Sequence, residues 1–380
     1  MEAVRVGIVG AGVISGAHAG AVIKTPSAVL VAVCDPDLER ARKVAAAHGA
    51  PAVFESLGAM LATSSVEAVI LATPNHLHPT QALQCAAAHC HVLCEKPLAN
   101  SYAEALEMQR AFVEAGLVLR TGFNQRFLNH IKLAKIAIER GIVGEIHSFR
   151  SVFSGKWDNY FDSTNFRFNP EQSGGTTIND NLIHRYDMIR YLLGDEYVSV
   201  VAELCHSVIP PVVDDNVHLL VSTRRGARGA FSADRYSPVI ADSTELYGTK
   251  GSIHFVTNAV SPFHAVPLAI FTTVDPASVP AELREAQFPL ARARHNPGWS
   301  GWMSFWPAFN DTYAEQLKEF VSAIRGELGG RTAATGEDGV RATELIQAAY
   351  SSQIERRWVR LPLSEQESYR IPEYEDVGAP

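Results

Sequence analysis

The amino-acid sequence predicts an α/β protein: an N-terminal doubly wound parallel sheet, then a C-terminal α/β part with a large, mostly antiparallel open sheet. Three observations carry this. Residues 4–121 alternate short apolar runs with stretches of helical periodicity, the pattern of βαβ units. From residue 145 onward, run after run reads as strand with few helices between, as expected of an antiparallel sheet. The pattern changes near residue 124, which divides the 380 residues into segments 1–124 and 125–380, each with ample core.

The first strand spans 4–9 and runs into Gly10-Ala11-Gly12-Val13-Ile14-Ser15-Gly16, after which small residues continue with helical character through Ala21. A dinucleotide pyrophosphate needs this arrangement. Gly10 permits the tight turn, Gly12 lets the backbone approach the phosphates, and the helix start offers free N–H groups at the positive end of its dipole. Ser15 takes the third small position. The second strand, 29–34, ends at Asp35, whose carboxylate can accept hydrogen bonds from both hydroxyls of an adenine ribose and repels a 2′-phosphate. NAD is therefore expected rather than NADP. A charged helix over 38–47 and strands over 68–72, 91–94 and 117–121 follow, with helices over 79–89 and 101–115 between them. Ser101 and Glu104 form a capping box for the second of these. Ligands of such sheets sit beyond the carboxyl ends of the strands, so Thr73, Asn75, His78, Glu95, Lys96 and Asn124 become candidates.

In the second segment, a helix over 131–140 stops at Gly141. Strands are expected over 145–153, 198–205, 217–222, 229–234, 244–247 and 252–255, the last two joined by the turn Gly248-Thr249-Lys250-Gly251. Residues 257–300 read as irregular loop. Residues 312–325 and 338–356 are helical, the latter with the option of packing back toward the first segment. An open sheet face is a natural subunit interface, so a homodimer or homotetramer is expected.

Lys96 lies just past a parallel strand on the ligand side, and Pro97 biases it toward extended backbone. Its charge suits a developing alkoxide. Asp180 and His184 are four apart in a stretch of helical spacing and would share one helix face. Alcohol oxidation needs a base near the hydroxyl proton, a task that suits histidine. Asp180 would orient the imidazole or hold a neighbouring hydroxyl. Arg126, Arg167 and Arg185 could bind an anionic substituent or the cofactor phosphates. Trp157, Tyr160 and Phe161, and later Trp302, Phe305 and Trp306, offer faces for a sugar ring.

The Gly10–Gly12 loop, Ala72-Thr73-Pro74-Asn75, Glu95-Lys96-Pro97, Gly122-Phe123-Asn124-Gln125-Arg126-Phe127, Phe166-Arg167 ahead of Gly174-Gly175, and Asp180 with His184 together resemble the glucose–fructose oxidoreductase / inositol dehydrogenase / MocA-like (Gfo/Idh/MocA) family. The resemblance covers most of the chain. It implies an NAD-binding Rossmann domain, a second domain with a large open sheet, and oxidation or reduction of sugars and cyclic polyols. It makes Lys96, Asp180 and His184 the active-site trio. Cofactor contacts are then expected from Gly10, Gly12, Val13, Ile14, Asp35, Thr73, Asn75, His78, Glu95, Lys96, Asn124 and Arg167. Substrate contacts are expected from Lys96, Phe123, Arg126, Trp157, Asp180 and His184. The chain departs at Leu182, where the family usually has glycine, and a bulkier side chain there could reshape the pocket. The family also includes redox-neutral glycosidases that pass through a transient 3-keto sugar, which stands as the alternative activity.

A net charge of −8 without a Lys/Arg block excludes a nucleic-acid footprint. No apolar stretch is long enough to span a bilayer. Five cysteines without a disulfide framework point to a reducing cytoplasm. The cluster His89-Cys90-His91 with Cys94 lies largely on a strand, where alternate residues face opposite ways, so no metal site is expected.

Overall fold

The computed structural model describes residues 2–63, 65–155, 165–206, 213–257, 266–288, 301–327 and 332–372. Its first sheet is wholly parallel and contains β1 (Val4–Val9), β2 (Ala28–Cys34), β3 (Ala52–Phe54), β4 (Ala68–Leu71), β5 (His91–Cys94) and β6 (Leu119–Thr121), in the order β3-β2-β1-β4-β5-β6. The order reverses between β1 and β4, which opens a crevice beyond the strand ends at that point. Helices α1 (Ser15–Lys24), α2 (Leu38–His48), α3 (Leu57–Thr63), α4 (His78–Ala87) and α5 (Tyr102–Glu114) connect the strands. The strands are buried on both faces, so they read as continuous apolar runs such as Ala68-Val69-Ile70-Leu71, whose residues are all fully buried. Local signals agree with the ends. Asp37 caps α2 by accepting from the Glu39 and Arg40 N–H groups, Gly49 ends it in the left-handed region, and the Ser101–Glu104 capping box is formed. β3 and α3 were not foreseen, because three and seven residues are too few to show a period.

The second sheet follows α6 (Asn129–Glu139) and has nine strands: β7 (Ile146–Ser154), β8 (Tyr197–Cys205), β9 (Asn216–Thr223), β10 (Arg228–Asp234), β11 (Ala241–Gly248), β12 (Gly251–Phe255), β13 (Leu268–Thr272), β14 (Trp302–Phe305) and β15 (Val359–Arg360). All neighbours are antiparallel except β7 and β10. Phe149, Leu219, Phe231, Leu246 and Ile253 bury one face. The alternate residues, among them Arg150, His218 and Leu220, leave the other face open to solvent. The buried face is covered from α6, α8 (Ile183–Leu193) and α11 (Gly336–Glu355), while the short α7 (Pro170–Ser173) packs on the turn at Asn75–Leu77 and α9 (Ala281–Glu285) packs on α6. Helix α10 (Thr312–Ile324) packs on α1 and sends Leu317 and Phe320 into the apolar layer of the first sheet. Helix α11 runs along α5 and β6 as well as β8.

Residues 257–300 are not loop throughout. β13 and α9 lie within them, and β13 hid from the sequence because both of its faces are apolar: Ile270 is buried in the core while Phe271 packs on Trp302. The stretch carrying Asp180 and His184 is also not one α-helix. Thr177–Asn181 is a single π-helical turn, and α8 starts after it, so the two residues belong to different elements. Among the described residues, no helix is long and apolar enough to cross a membrane.

Candidate active site

A continuous cleft of about 1140 Å³ runs across the switch point of the first sheet. One end is walled by Gly10, Gly12, Val13, Ile14 and Asp35, the middle by Thr73, Asn75 and Glu95, and the far end by Lys96, Asn124, Arg167, Asp180 and His184. At the glycine loop, Gly10 has φ +96°, and a Cβ there would lie 2.5 Å from the Ala72 carbonyl oxygen. Any other residue would push the loop off β4. Gly12 faces open space, and Val13 is 89% exposed. The first turn of α1 has neither a side-chain cap nor an acidic residue to compete with an anion at the positive end of its dipole, while the Ser15 and Ala17 N–H groups bond back to the Gly12 and Ile14 carbonyls. Ser15 is fully buried and donates its hydroxyl to the Gly12 carbonyl, which accounts for a serine at the third small position.

Asp35 is buried at the cleft wall and accepts from the Ala11 N–H at 2.7 Å and the Asp37 N–H at 2.8 Å. It thus fixes the glycine loop while lining the cleft. The Arg40 guanidinium lies 3.5 Å away and is more than half exposed. Asp35→Ala is expected to lower NAD affinity and to cut the NAD/NADP preference at least tenfold, because Arg40 then meets a 2′-phosphate without a competing carboxylate. Paired affinity measurements check this; an unchanged ratio would show that Asp35 does not set it.

At the far end, Lys96 extends from the end of β5 and places its Nζ 2.6 Å from Asp180 Oδ1 and 3.2 Å from the Asp180 carbonyl oxygen. The other carboxylate oxygen accepts from Arg167 Nε at 3.2 Å and from an Arg235 NH2 at 3.0 Å. Burial alone would raise the Asp180 pKa, but the Lys96, Arg167 and Arg235 charges overcome it and hold the carboxyl well below its ordinary range. Asp180 is therefore an anion shared by three cations. It does not orient the imidazole by a hydrogen bond, as the sequence reading had allowed. His184 is the second residue of α8, with its ring edge-on to Phe123 at 6.1 Å. Its Nδ1 is buried without a hydrogen-bond partner. Burial first, then the charges of Lys96 and Arg185, push its pKa well below the usual histidine value, with Asp180 opposing. His184 is thus neutral and offers a lone pair.

The π-helical turn that presents Asp180 is pinned by Asp214. The Asp214 carboxylate accepts from the Thr176 N–H at 2.9 Å and the Ile178 N–H at 2.7 Å, and its carbonyl accepts the Thr177 hydroxyl at 2.8 Å. Asn75 crosses from the first sheet to the Ser173 carbonyl at 2.8 Å, tying the two walls together. Leu182 is fully buried in the apolar core and is not among the cleft-lining residues, so its bulk does not narrow the cleft.

Several expected contacts are not made. His78 is fully buried, with Nδ1 2.8 Å from the Pro97 carbonyl and Nε2 2.9 Å from the Thr73 carbonyl. It clasps two site loops, with both ring nitrogens engaged by backbone carbonyls and the ring out of the cleft lining. Phe123 is buried behind His184 rather than facing a substrate. Arg126 is buried in ion pairs with Asp187 and Asp338, where it joins α8 to α11. Arg185 is fully buried against Asp242 and Thr257. Phe305 is buried, and Trp302 and Trp306 lie outside the cleft. Trp157, Tyr160 and Phe161 lie outside the described residues. Sequence reasoning missed Arg235 and Asp214, which lie just past β10 and just before β9, and also His18 and Tyr313 on α1 and α10. His18 stands two residues past Gly16 with no local pattern to mark it.

Two family models match the chain. The description "Oxidoreductase family, NAD-binding Rossmann fold" covers residues 4–123, and "GFO/IDH/MocA C-terminal domain" covers residues 131–254. Myo-inositol 2-dehydrogenase of Thermotoga maritima is 28% identical over 362 residues, spanning 94% of this chain and 98% of that one. A 2,7-anhydro-N-acetylneuraminate hydratase of Escherichia coli is 36% identical over 157 residues, 40% of this chain and 41% of that one. A solved levoglucosan dehydrogenase in complex with NADH and L-sorbose is 25% identical with a TM-score of 0.80, covering 95% of this chain and 100% of that one. With both family models matched and a cleft whose glycine loop, uncapped helix start and strand-end acid suit a dinucleotide, the chain belongs to the Gfo/Idh/MocA family of NAD-binding oxidoreductases.

Proposed function

We propose that the chain interconverts a secondary alcohol and a ketone on a sugar, sugar derivative or cyclic polyol. The observation that carries this reading is the single cleft that joins the dinucleotide loop to Lys96, Asp180 and His184. Gly10, Gly12, Val13, Ile14, Asp35, Thr73, Asn75, Glu95, Asn124 and Arg167 would hold NAD, which would supply the electron-pair acceptor. His184 receives the hydroxyl proton through its cleft-facing nitrogen. Lys96 steadies the oxygen as negative charge develops on it. Asp180 places Lys96, and Arg167 and Arg235 hold Asp180 ionised. The relatives' printed substrates, an inositol and an anhydro-sugar, support a ring-shaped polyol as the substrate class.

A screen of sugars, polyols and glycosides with NAD+, followed by product identification, tests this. Net NADH formation with a sugar or polyol is the expected result. Glycoside cleavage without net NADH would instead support the redox-neutral reading, which the local likeness to a hydratase favours. We further propose that residues 1–124 form the coenzyme domain and residues 125–380 the substrate and assembly domain. Its open sheet face would pair subunits into a homodimer or homotetramer, and a solution mass measurement reads this directly. All five cysteines are free thiols, which supports a reducing compartment, the cytoplasm.

A further inference from the structure

Glu95 is an acidic group built into the middle of the cleft wall, next to Lys96. It follows β5 directly, and its side chain is 12% exposed. Its Oε1 lies 2.7 Å from His18 Nε2, and its Oε2 accepts from the Lys96 N–H at 3.2 Å. The end of β6 is hollowed to receive it: a Cβ on Gly122 would lie 3.1 Å from both Glu95 Cδ and Oε1. His18, 2% exposed on α1, is held in turn by the edge-on ring of Tyr313 at 5.1 Å. Four elements thus converge on one carboxylate. Glu95 and Tyr313 border the cleft, and His18 stands behind them. Burial alone would raise the Glu95 pKa, but the hydrogen bond and charge of His18, with the charge of Lys96, bring it below its ordinary value, so the group is an anion. The Lys96 ammonium points away to Asp180 at 2.6 Å, and Glu95 remains part of the cleft lining.

We propose that the Glu95 carboxylate, positioned by His18, makes this cleft select the oxidised over the reduced coenzyme. The inference rests on the reading that NAD lies in the cleft with its nicotinamide beside Lys96. The ring carries a positive charge when oxidised and none when reduced. A fixed anion in a low-dielectric wall favours the charged form, and the neutral form gains nothing from it. Glu95 is in this respect a positioning and charge-setting residue rather than a proton carrier.

The test is binding without substrate: NAD+ and NADH titrated separately into the wild-type protein and into Glu95→Gln. The expected result is that Kd for NAD+ rises about tenfold relative to Kd for NADH, a shift of about 30 mV for a two-electron couple. Glu95→Asp keeps the charge and is expected to keep the wild-type ratio. Glu95→Ala provides the uncharged measurement if the amide disturbs the fold. A purely structural role would weaken both coenzymes in proportion, and a constant ratio across these variants overturns the proposal. Wild-type protein that binds neither coenzyme would instead overturn the cofactor reading itself.

Discussion

Replacing Lys96 with alanine is expected to lower turnover about 10²–10³-fold, the loss typical of removing one group that stabilises a developing oxyanion. Affinity for NAD+ should stay within about threefold, because the glycine loop, the open start of α1 and Asp35 lie at the other end of the cleft and keep their contacts. The ammonium is mostly buried and has a fixed partner in Asp180, so it is preorganised rather than free to wander in solvent. Its removal leaves Asp180 held by Arg167 and Arg235, so the π-helical turn should survive. Steady-state kinetics beside a coenzyme titration separate the two effects. Turnover at the wild-type level would remove Lys96 from the chemistry.

His184→Ala is expected to lower kcat/KM about 10²–10⁴-fold, the usual contribution of a positioned acid–base group. The pH profile adds a signature. A base must be unprotonated to work, and His184 has its pKa depressed well below the usual histidine value by burial and by the Lys96 and Arg185 charges. Protonation therefore sets in only well below about pH 6.5, the ordinary histidine midpoint, and the acid limb of wild-type kcat/KM should lie below that value. The limb should disappear in His184→Ala. An acid limb at or above the ordinary midpoint, or one that persists unchanged in the variant, would assign the proton to another group.

The parallel sheet and its ligand loop were legible because their signals are local. Gly10 must turn, Gly12 must leave room, and Asp35 must end a strand; each demand is met within a few residues of its neighbours. Lys96 was legible for the same reason, as a cation just past a strand end. What escaped the sequence is what tertiary packing decides. Arg126 reads like a substrate ligand beside Phe123 and Asn124, yet Asp187 and Asp338 lie far from it in the chain and claim it. The i, i+4 spacing of Asp180 and His184 suggests one helix face, but Asp214, a residue with no local link to them, pins the π-helical turn that carries Asp180 ahead of α8. Arg235 joins the site from the end of β10 because β10 pairs in parallel with β7, a crossover no local pattern announces. His78 stands at the right strand end and still points inward, because two backbone carbonyls claim its ring.

The most direct measurement is a crystal structure of the protein with NADH and a polyol or sugar found in the substrate screen. The expected result is a carbinol carbon about 3–3.5 Å from C4 of the nicotinamide, with its oxygen within hydrogen-bond reach of both Lys96 Nζ and the cleft-facing nitrogen of His184. A coenzyme seated in the cleft with the carbinol out of reach of either group would contradict it.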